Sequence, residues 1–285
     1  MEEMIVDFSL MTYTVHGGQP GGIDTLEGIA DFAREVDFAA LELSAGRDLE
    51  GREPSSIAQL CAERDLAISC INGAANLAPA EQAEFEAGLA KGREMIDDAA
   101  AMGCPVVMFI PGMAESEADL PRAAARIAEG LRELLPEAAR AGVTLTIEDF
   151  PNPLTPYASI AQVRYLLDNA PGLKLTYDCG NWLIGGSDPV EAIDEFAGEI
   201  VNAHIKDWEP DPNHGERKLP DGTSFRGGLH GKGMLDHPAI LSRLLEVGYD
   251  GYLAFEYEGV EDHQQATRRG MEYLRGLLDE IHRGT

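Results

Sequence analysis

Four short apolar runs in the second half of the chain each contain, at or near their end, a residue that can bind a metal ion. The runs VTLTIE, LKLTYD, VNAHIK and GYLAFEY supply, in that order, Glu148, Asp178, His204 and Glu256. Carboxylates that converge inside a protein repel one another and lose solvation, so they need a cation beside them. Carboxylate oxygens together with an imidazole nitrogen suit Mn²⁺, Co²⁺, Zn²⁺ or Mg²⁺. The residue types therefore predict one divalent metal site, provided that the fold brings them together.

Strand parity predicts that these four residues share one face. Side chains alternate along a β-strand, and in VTLTIE the apolar residues occupy the odd positions while Glu148 shares the other face with two threonines. Asp178 and His204 stand in the same way opposite the apolar faces of their runs, and Glu256 has matching parity in the less regular last run. Asp149 has the opposite parity, so we expect a loop hydrogen bond for it instead.

The elements that position these residues alternate regularly along the chain. The predicted strands are 4–11, 38–44, 66–71, 105–110, 143–148, 173–178, 201–206 and 251–257. The predicted helices are 24–36, 54–64, 81–102, 119–141, 159–169, 189–199, 237–247 and 262–282. Eight such pairs, without G-x-G-x-x-G after the first strand, favour an α/β fold of the closed (β/α)8 TIM-barrel type over an open doubly wound sheet.

No break in composition indicates a second domain, so we expect a single domain over residues 1–285. A Pro-, Gly- and Asp-rich segment predicts a long loop at 208–230, after the seventh strand. Parallel barrels bring the carboxyl ends of their strands to one mouth, where barrel enzymes build their active sites. The four candidate ligands are therefore expected at that mouth, on the lumen side.

The composition excludes several classes of protein. The chain has 285 residues, and its 44% hydrophobic residues are compatible with a sizeable core. Its formal net charge of −28 repels nucleic-acid phosphates. No apolar run reaches the roughly 18 residues of a membrane helix, and the acidic N-terminus lacks the basic segment of a secretory signal. The four cysteines have no CxxC spacing and indicate free thiols. We expect a cytoplasmic protein with neither nucleic acid nor membrane as a partner.

Five segments resemble, in order, motifs of the xylose isomerase-like TIM-barrel superfamily. They are TIEDF, LTYDCGNW, NAHIKDW, GLHGKGMLDHPAIL and VGYDGYLAFEYEG. The resemblance covers nearly the whole chain and is most specific from residue 143 to 258. This superfamily includes sugar and sugar-phosphate isomerases and epimerases, inosose dehydratase-like lyases and endonuclease IV. The resemblance implies that the metal ligands are Glu148, Asp178, His204 and Glu256.

Some family motifs are altered in this sequence. Many epimerases have a histidine three residues after the metal-binding aspartate, where this chain has Asn181, and the tagatose-type continuation of the first glutamate motif is replaced by EDFPN. The extra histidines of endonuclease IV are missing, with Asn72, Pro111 and Asn181 at those positions. The long segment between His204 and Glu256 is closer to that of inosose dehydratase-like members.

The resemblance implies proton abstraction next to a carbonyl group, with Glu148 and Glu256 as acid and base on the two faces of the substrate carbon. A divalent metal would act as a Lewis acid that stabilises the developing enediolate. The leading interpretation is a metal-dependent isomerase or epimerase of a keto sugar or polyol-derived substrate. The alternatives are a metal-dependent lyase of the inosose or 3-keto-sugar type and a non-catalytic, metal-stabilised scaffold. A homo-oligomer is left open, since related barrels are often dimers or tetramers.

Further residues are candidates for contacts with a carbohydrate substrate. They are His16, Glu42, Asn72, Asn181, Trp182, Lys206, Arg226 and His230. The lumen parity of Lys206 allows either a substrate oxygen or a barrel carboxylate as its partner. Trp182 suits either an apolar wall of the site or interior packing. Arg226 and His230 flank the 208–230 loop and could close over a substrate or bind a phosphate, while Asp207 is expected to orient the neighbouring histidine or the loop.

Overall fold

The chain forms a closed eight-stranded parallel barrel. A computed structural model describes residues 6–212, 215, 217–218 and 222–284. The strands are β1 (Phe8–Met11), β2 (Ala40–Ser44), β3 (Ala67–Ala74), β4 (Val106–Ile110), β5 (Thr144–Glu148), β6 (Lys174–Asp178), β7 (Ile200–Ile205), β8 (Trp208–Pro210), β9 (Arg217–Lys218), β10 (Ser224–Gly227) and β11 (Leu253–Phe255). The barrel order is β1-β11-β7-β6-β5-β4-β3-β2, and β2 closes it on β1. The predicted TIM-barrel fold is confirmed, and every barrel strand overlaps its predicted run.

Helices follow the barrel strands and cover its outside. They are α1 (Thr12–Val15), α2 (Leu26–Glu35), α3 (Pro54–Ala62), α4 (Gln82–Met102), α5 (Leu120–Ala141), α6 (Ile160–Asn169), α7 (Cys179–Ile184), α8 (Pro189–Phe196), α9 (His237–Glu246) and α10 (His263–Gly284), with a 3₁₀ turn at Glu117–Asp119. α5 shows why the sequence folds this way: Pro121 lies in its first turn, and Gly142 ends it with φ 74°. No helix of the described part is long and apolar enough to cross a membrane.

Two short helices were not predicted. α1 has 4 residues and begins directly after β1, whereas α7 has 6 residues and begins directly after β6. Neither is long enough to show a helical period in the sequence. Both extend the wall of the barrel mouth, because each starts at the carboxyl end of a strand.

The two faces of the strands differ as parity predicts. Leu145 and Ile147 are buried in the main apolar core, which lies between the barrel and its helices. On the other face of β5, Thr146 shares a 2.7 Å hydrogen bond with Thr176 of β6. Met108 is the register partner of Thr146 and belongs to a small apolar cluster separate from the main core. Apolar and hydroxyl side chains therefore line this part of the lumen, and charged groups follow at its mouth.

The segment after β7 contains a small antiparallel sheet. Its strand order is β8-β10-β9, and the register of β10 with β8 pairs Phe225 with Pro210. The ring of Phe225 is fully buried, which fixes this sheet to the body of the protein. Such short strands carry too few residues for an alternating pattern, so the sequence indicated only a loop over this range. Residues 213–214, 216 and 219–221 of the predicted loop lie outside the described residues.

Candidate metal centre

Four side chains from different strands meet at the carboxyl-terminal mouth of the barrel. Glu148 and Asp178 end β5 and β6, His204 lies near the end of β7, and Glu256 follows β11. One ligand atom of each residue lies within 4.8 Å of those of the others. His204 Nδ1 is 2.6 Å from Glu148 Oε1. The distances from this nitrogen to Asp178 Oδ2 and Glu256 Oε2 are both 3.8 Å. The fold thus brings together the residues that strand parity grouped.

Unpaired oxygens in this group fit a divalent cation. Asp178 Oδ2 and Glu256 Oε2 are buried and accept no hydrogen bond within the described residues. Lys206 Nζ is 3.0 and 2.9 Å from them, a charge contact that lacks the directionality of a hydrogen bond. Buried polar atoms are normally satisfied, so two such carboxylate oxygens beside an imidazole nitrogen form the donor set of a hard or borderline ion.

Helix α7 determines which oxygen of Asp178 is free. Asp178 is the N-cap of this helix, and its Oδ1 accepts hydrogen bonds from the backbone N–H groups of Gly180 and Asn181 at 2.9 and 2.8 Å. Oδ2 therefore faces the centre. Asn181, a predicted substrate contact, is buried and donates its amide to the carbonyl oxygen of Asp149 at 2.9 Å. Its role in the structure is to connect the ends of β5 and β6.

Asp149 is almost fully buried beside the centre. Only 1% of its surface is exposed, and Oδ1 accepts the backbone N–H of Asp178 at 3.1 Å. Burial, with the negative charges of Asp178 and Glu148, raises the pKa of Asp149 well above its usual value. Its hydrogen bond reaches the end of the adjacent strand, so Asp149 fixes the position of a ligand residue instead of stabilising its own loop.

Lys206 supplies a positive charge inside the carboxylate group. Its Nζ contacts Asp178 and Glu256 and also lies 3.2 Å from Glu258 Oε2. Burial lowers the pKa of Lys206, but the three carboxylates raise it well above its usual value. Of the two partners that parity allowed, the structure shows barrel carboxylates. The sequence analysis did not identify Glu258. This residue has the same parity as Glu256, so extending the alternation past the end of the strand could have indicated it.

The two candidate acid–base groups have altered proton affinities. Burial raises the pKa of Glu256 to about 8, with Glu258 and Asp178 acting in the same direction and Lys206 opposing it. Burial also raises the pKa of Glu148, where His204 opposes the shift. A carboxyl group with a pKa near neutral pH, such as that of Glu256, is suited to general acid–base catalysis.

Glu42 lies beneath the centre and makes contact with it through His204. Its side chain is fully buried, and His204 Nε2 is 2.9 Å from Oε1. The amides of Asn72 and Asn202 donate to Oε1 and Oε2 at 3.0 and 2.9 Å. Burial raises the pKa of Glu42, but these three donors outweigh it and lower the pKa. Both oxygens of Glu42 are engaged, so Asn72 holds Glu42 and Glu42 holds the histidine. The predicted contact of Glu42 and Asn72 with substrate stays a prediction.

Trp182 and His230 belong to the interior. Trp182 is fully buried on α7 and stacks on Phe196, with 5.7 Å between ring centroids. His230 is 2% exposed, donates from Nε2 to the carbonyl oxygen of Ile205 at 2.9 Å and stacks on Phe255. Of the two roles left open for Trp182, the structure shows interior packing, and the predicted contact of both rings with substrate stays a prediction. His230 supports the backbone at the end of β7.

Arg226 and His16 remain accessible at the periphery. Arg226 on β10 pairs with Glu209 at 2.5 Å and keeps 39% of its side chain exposed. His16 ends α1 and lines a cavity of about 300 Å³ with Arg47 and other residues of the neighbouring loops. The ring of Tyr13 lies 5.8 Å from His16. Burial raises the pKa of Tyr13, and the negative charges of Glu258 and Glu256 contribute, so this phenol lies close to the centre. No sequence pattern indicated this position.

Comparison with known proteins agrees with the fold. The family model described as xylose isomerase-like TIM barrel matches residues 30–277. This chain belongs to the xylose isomerase-like TIM-barrel family. Its relatives include inosose dehydratases and L-ribulose-5-phosphate 3-epimerases.

An inosose dehydratase of Geobacillus kaustophilus is 35% identical to this chain, over 38% of this chain and 38% of its own length. An inosose dehydratase of Lacticaseibacillus casei is 25% identical over 80% of this chain and 82% of its own length. The L-ribulose-5-phosphate 3-epimerase UlaE of Escherichia coli O157:H7 is 26% identical over 54% of the chain and 50% of that enzyme. The IOLI protein, solved with a bound zinc atom, superposes with a TM-score of 0.79 at 15% identity, over 97% of this chain and 98% of that one.

Proposed function

We propose that this chain is a divalent-metal-dependent isomerase or epimerase that removes the proton next to the carbonyl group of a keto sugar or related polyol. The observation that carries the proposal is the pair of glutamates, Glu148 and Glu256, which converge on His204 Nδ1 from strands on either side of β7 and β6. Both side chains keep a small exposed fraction, 13% and 7%, so a small molecule at the mouth can reach them.

Each side chain of the centre has its own role in the proposed chemistry. Glu148, Asp178, His204 and Glu256 would hold the ion, which when bound supplies the Lewis acidity that polarises a carbonyl group. One glutamate carboxylate takes the α-proton, and the carboxyl group of the other returns a proton to the opposite face or to the neighbouring carbon. Return to the opposite face epimerises the carbon, whereas return to the neighbouring carbon isomerises the sugar. Lys206 keeps positive charge beside the carboxylates while protons move.

A lyase is the second candidate, and a specific observation favours it. The inosose dehydratase of Lacticaseibacillus casei aligns with 80% of this chain, which is more than the epimerase covers. In a dehydration, one glutamate takes the α-proton and the β-carbon–oxygen bond breaks, so the leaving hydroxide needs a proton to depart as water. The carboxyl group of Glu256, whose pKa burial raises to about 8, is a proton donor of the required kind. The same centre therefore supports either outcome.

Solvent exchange in D₂O tests the proposal. Metal-free protein is incubated with a panel of ketoses and inososes, with Mn²⁺ or with a chelator, and the products are followed by NMR and near-ultraviolet absorbance. We expect metal-dependent deuterium incorporation next to the carbonyl. An isomerase or epimerase would give an isomer or epimer, whereas a lyase would give an enone that absorbs in the near ultraviolet. Metal binding without exchange of any substrate would contradict the proposal and favour the scaffold.

Substitution of the two glutamates provides the matched test. Glu148→Gln and Glu256→Gln preserve size but remove the group that accepts the proton, so we expect exchange to be lost in both variants. Glu84→Gln, at an exposed position on α4, is the control and should keep wild-type exchange. Near-wild-type exchange in either site variant would mean that the two glutamates are not the acid and base.

A further inference from the structure

Glu42 forms a connection across the barrel lumen that the proposed reaction does not use directly. It lies on β2 and contacts His204 on β7, although β11 and β1 separate these strands in the barrel order. The two residues are 162 positions apart in the chain. The contact is therefore a product of barrel closure.

The donors around Glu42 determine which nitrogen of His204 is engaged. An ionised carboxylate only accepts hydrogen bonds, so a nitrogen bonded to it carries a hydrogen. His204 Nε2, at 2.9 Å from Oε1, is that donor. Asn72 donates to the same oxygen and Asn202 to the other one, which holds the carboxylate plane in place. Nδ1 is the ring nitrogen on the side of Glu148, Asp178 and Glu256; it lies 2.6 Å from Glu148 Oε1 in the metal-free protein, and a bound cation would replace the proton that it shares there.

We infer that Glu42 is a positioning residue, which commits Nε2 of His204 to a hydrogen bond and so makes Nδ1 the metal-binding nitrogen. Asn72 and Asn202 serve this function by orienting Glu42. The inference rests on the proposed metal centre and adds the residues that set its geometry. Hydrogen bonds of this kind to ligand imidazoles typically change metal affinity by about 10–100-fold when they are removed.

A carboxylate is required here because three donors converge on it. Glu42→Gln replaces one acceptor oxygen with an NH₂ group, so at least one of the three donors meets another donor. The imidazole then loses its fixed orientation, or Asn202 rotates its amide to compensate. Since Glu42 is fully buried, water cannot substitute for the missing acceptor without rearrangement. The substitution therefore acts on the geometry of the centre through His204.

Cobalt binding tests the inference without a substrate. Metal-free wild type, Glu42→Gln and the control Asp48→Asn are titrated with Co²⁺ by calorimetry, and visible spectra are recorded. Asp48 is another buried carboxylate near the end of β2, bonded to Thr12 and to the Ser44 backbone instead of His204. We expect Glu42→Gln to weaken Co²⁺ binding by about 10–100-fold and to alter the d–d bands, while Asp48→Asn stays within about twofold of wild type.

Histidine-selective ¹⁵N NMR of the Zn²⁺-loaded wild type tests the nitrogen assignment directly, even if Glu42→Gln fails to fold. The His204 signals, identified by their loss in His204→Asn, should show a protonated Nε2 and a metal-bound Nδ1. A metal-bound Nε2, or a Glu42→Gln protein with wild-type affinity and spectrum, overturns the inference but leaves the metal centre intact. A wild-type protein that binds no Co²⁺ overturns the proposed function as well.

Discussion

The positive charge of Lys206 lies among the carboxylates that would also bind the proposed metal ion. Its ammonium lies within 3.2 Å of the carboxylates of Asp178, Glu256 and Glu258, all of them largely buried. Without Lys206, and without an ion, these carboxylates would face one another in a low-dielectric environment. The lysine therefore stabilises the metal-free protein, and the same positive charge opposes the approach of a cation.

Replacing Lys206 should separate these two effects. We expect Lys206→Met to lower the free energy of unfolding of metal-free protein by about 3–5 kcal/mol, because a buried ion pair loses one partner. Mn²⁺ should bind this variant more tightly than wild type, since a like charge has been removed. Denaturant unfolding in chelator and calorimetric titration with Mn²⁺ measure the two quantities.

The control for this experiment is Lys174→Met, at a lysine on β6 whose ammonium donates to the carbonyl oxygen of Gly198 near the surface. It should change stability by no more than about 1 kcal/mol and leave Mn²⁺ affinity unchanged. If the metal-free Lys206→Met protein is as stable as wild type, the ammonium does not neutralise the carboxylate group.

At the scale of elements, helix α7 approaches β7 closely enough to require a glycine. A Cβ atom added to Gly180 would lie 2.6 Å from Lys206 Cγ and would also meet Trp208 Nε1. Alanine normally favours a helix over glycine by about 1 kcal/mol, so the usual effect of Gly→Ala is stabilising. At this position the added methyl group must displace the Lys206 side chain.

Gly180→Ala should therefore reduce the proposed proton exchange by about tenfold or more, even if the helix itself is favoured. Gly198→Ala is the matched control, because a Cβ there meets nothing within 4 Å. The rates of deuterium incorporation in the two variants are compared with wild type. Equal rates for Gly180→Ala and wild type would show that the position of Lys206 is not critical.

The segment between β7 and α9 is organised by one carboxylate. Asp207 accepts hydrogen bonds at 2.9–3.1 Å from four backbone N–H groups, those of Trp208, Gly231, Gly233 and Leu235. Asparagine has one acceptor oxygen where aspartate has two, so Asp207→Asn leaves donors unpaired. We expect a loss of about 2–4 kcal/mol in unfolding free energy and faster hydrogen exchange at the glycine amides.

Asp236→Asn in the same segment is the control for Asp207→Asn. Asp236 caps α9 by accepting from the backbone N–H of Ala239, and asparagine is an equally good N-cap. This variant should keep wild-type stability and hydrogen exchange. Comparable losses in both variants would show that the effect of Asp207 is only that of a charge removed from the loop.

The sequence predicted the parts of the centre that follow from regular strands. Alternation located Glu148, Asp178 and His204 on one face, because period 2 is preserved up to the end of each strand. The contact between Glu42 and His204 was not predictable, since it depends on the size and register of the closed barrel. Trp182 lies on a helix too short to show a period, so the sequence could not decide between an apolar wall of the site and interior packing.

At the scale of the whole molecule, the acidic excess acts on stability as well as on partners. The chain carries 50 Asp and Glu against 22 Lys and Arg, which gives a formal net charge of −28. Repulsion among like charges destabilises a compact state, and salt screens it over a Debye length of about 10 Å at 0.1 M. Exposed carboxylates without nearby cations should therefore respond to ionic strength.

We expect the thermal unfolding midpoint of the metal-free protein to rise as KCl increases from about 0.05 M to about 1 M. Differential scanning calorimetry in chelator measures this shift, and a series in a neutral osmolyte of equal osmolality controls for effects unrelated to charge. A midpoint that is unchanged or lower at high KCl would contradict a destabilising role of the net charge.

Closure of the barrel is what unites ligands that lie up to 108 positions apart in the sequence, from Glu148 to Glu256. Anomalous diffraction at the manganese edge, from crystals grown with Mn²⁺, tests the resulting centre most directly. We expect one anomalous peak per chain, at about 2.0–2.6 Å from His204 Nδ1 and from an oxygen of Glu148, Asp178 and Glu256. A map with no peak among these four residues, or with manganese only elsewhere, would contradict the metal centre on which the proposed chemistry depends.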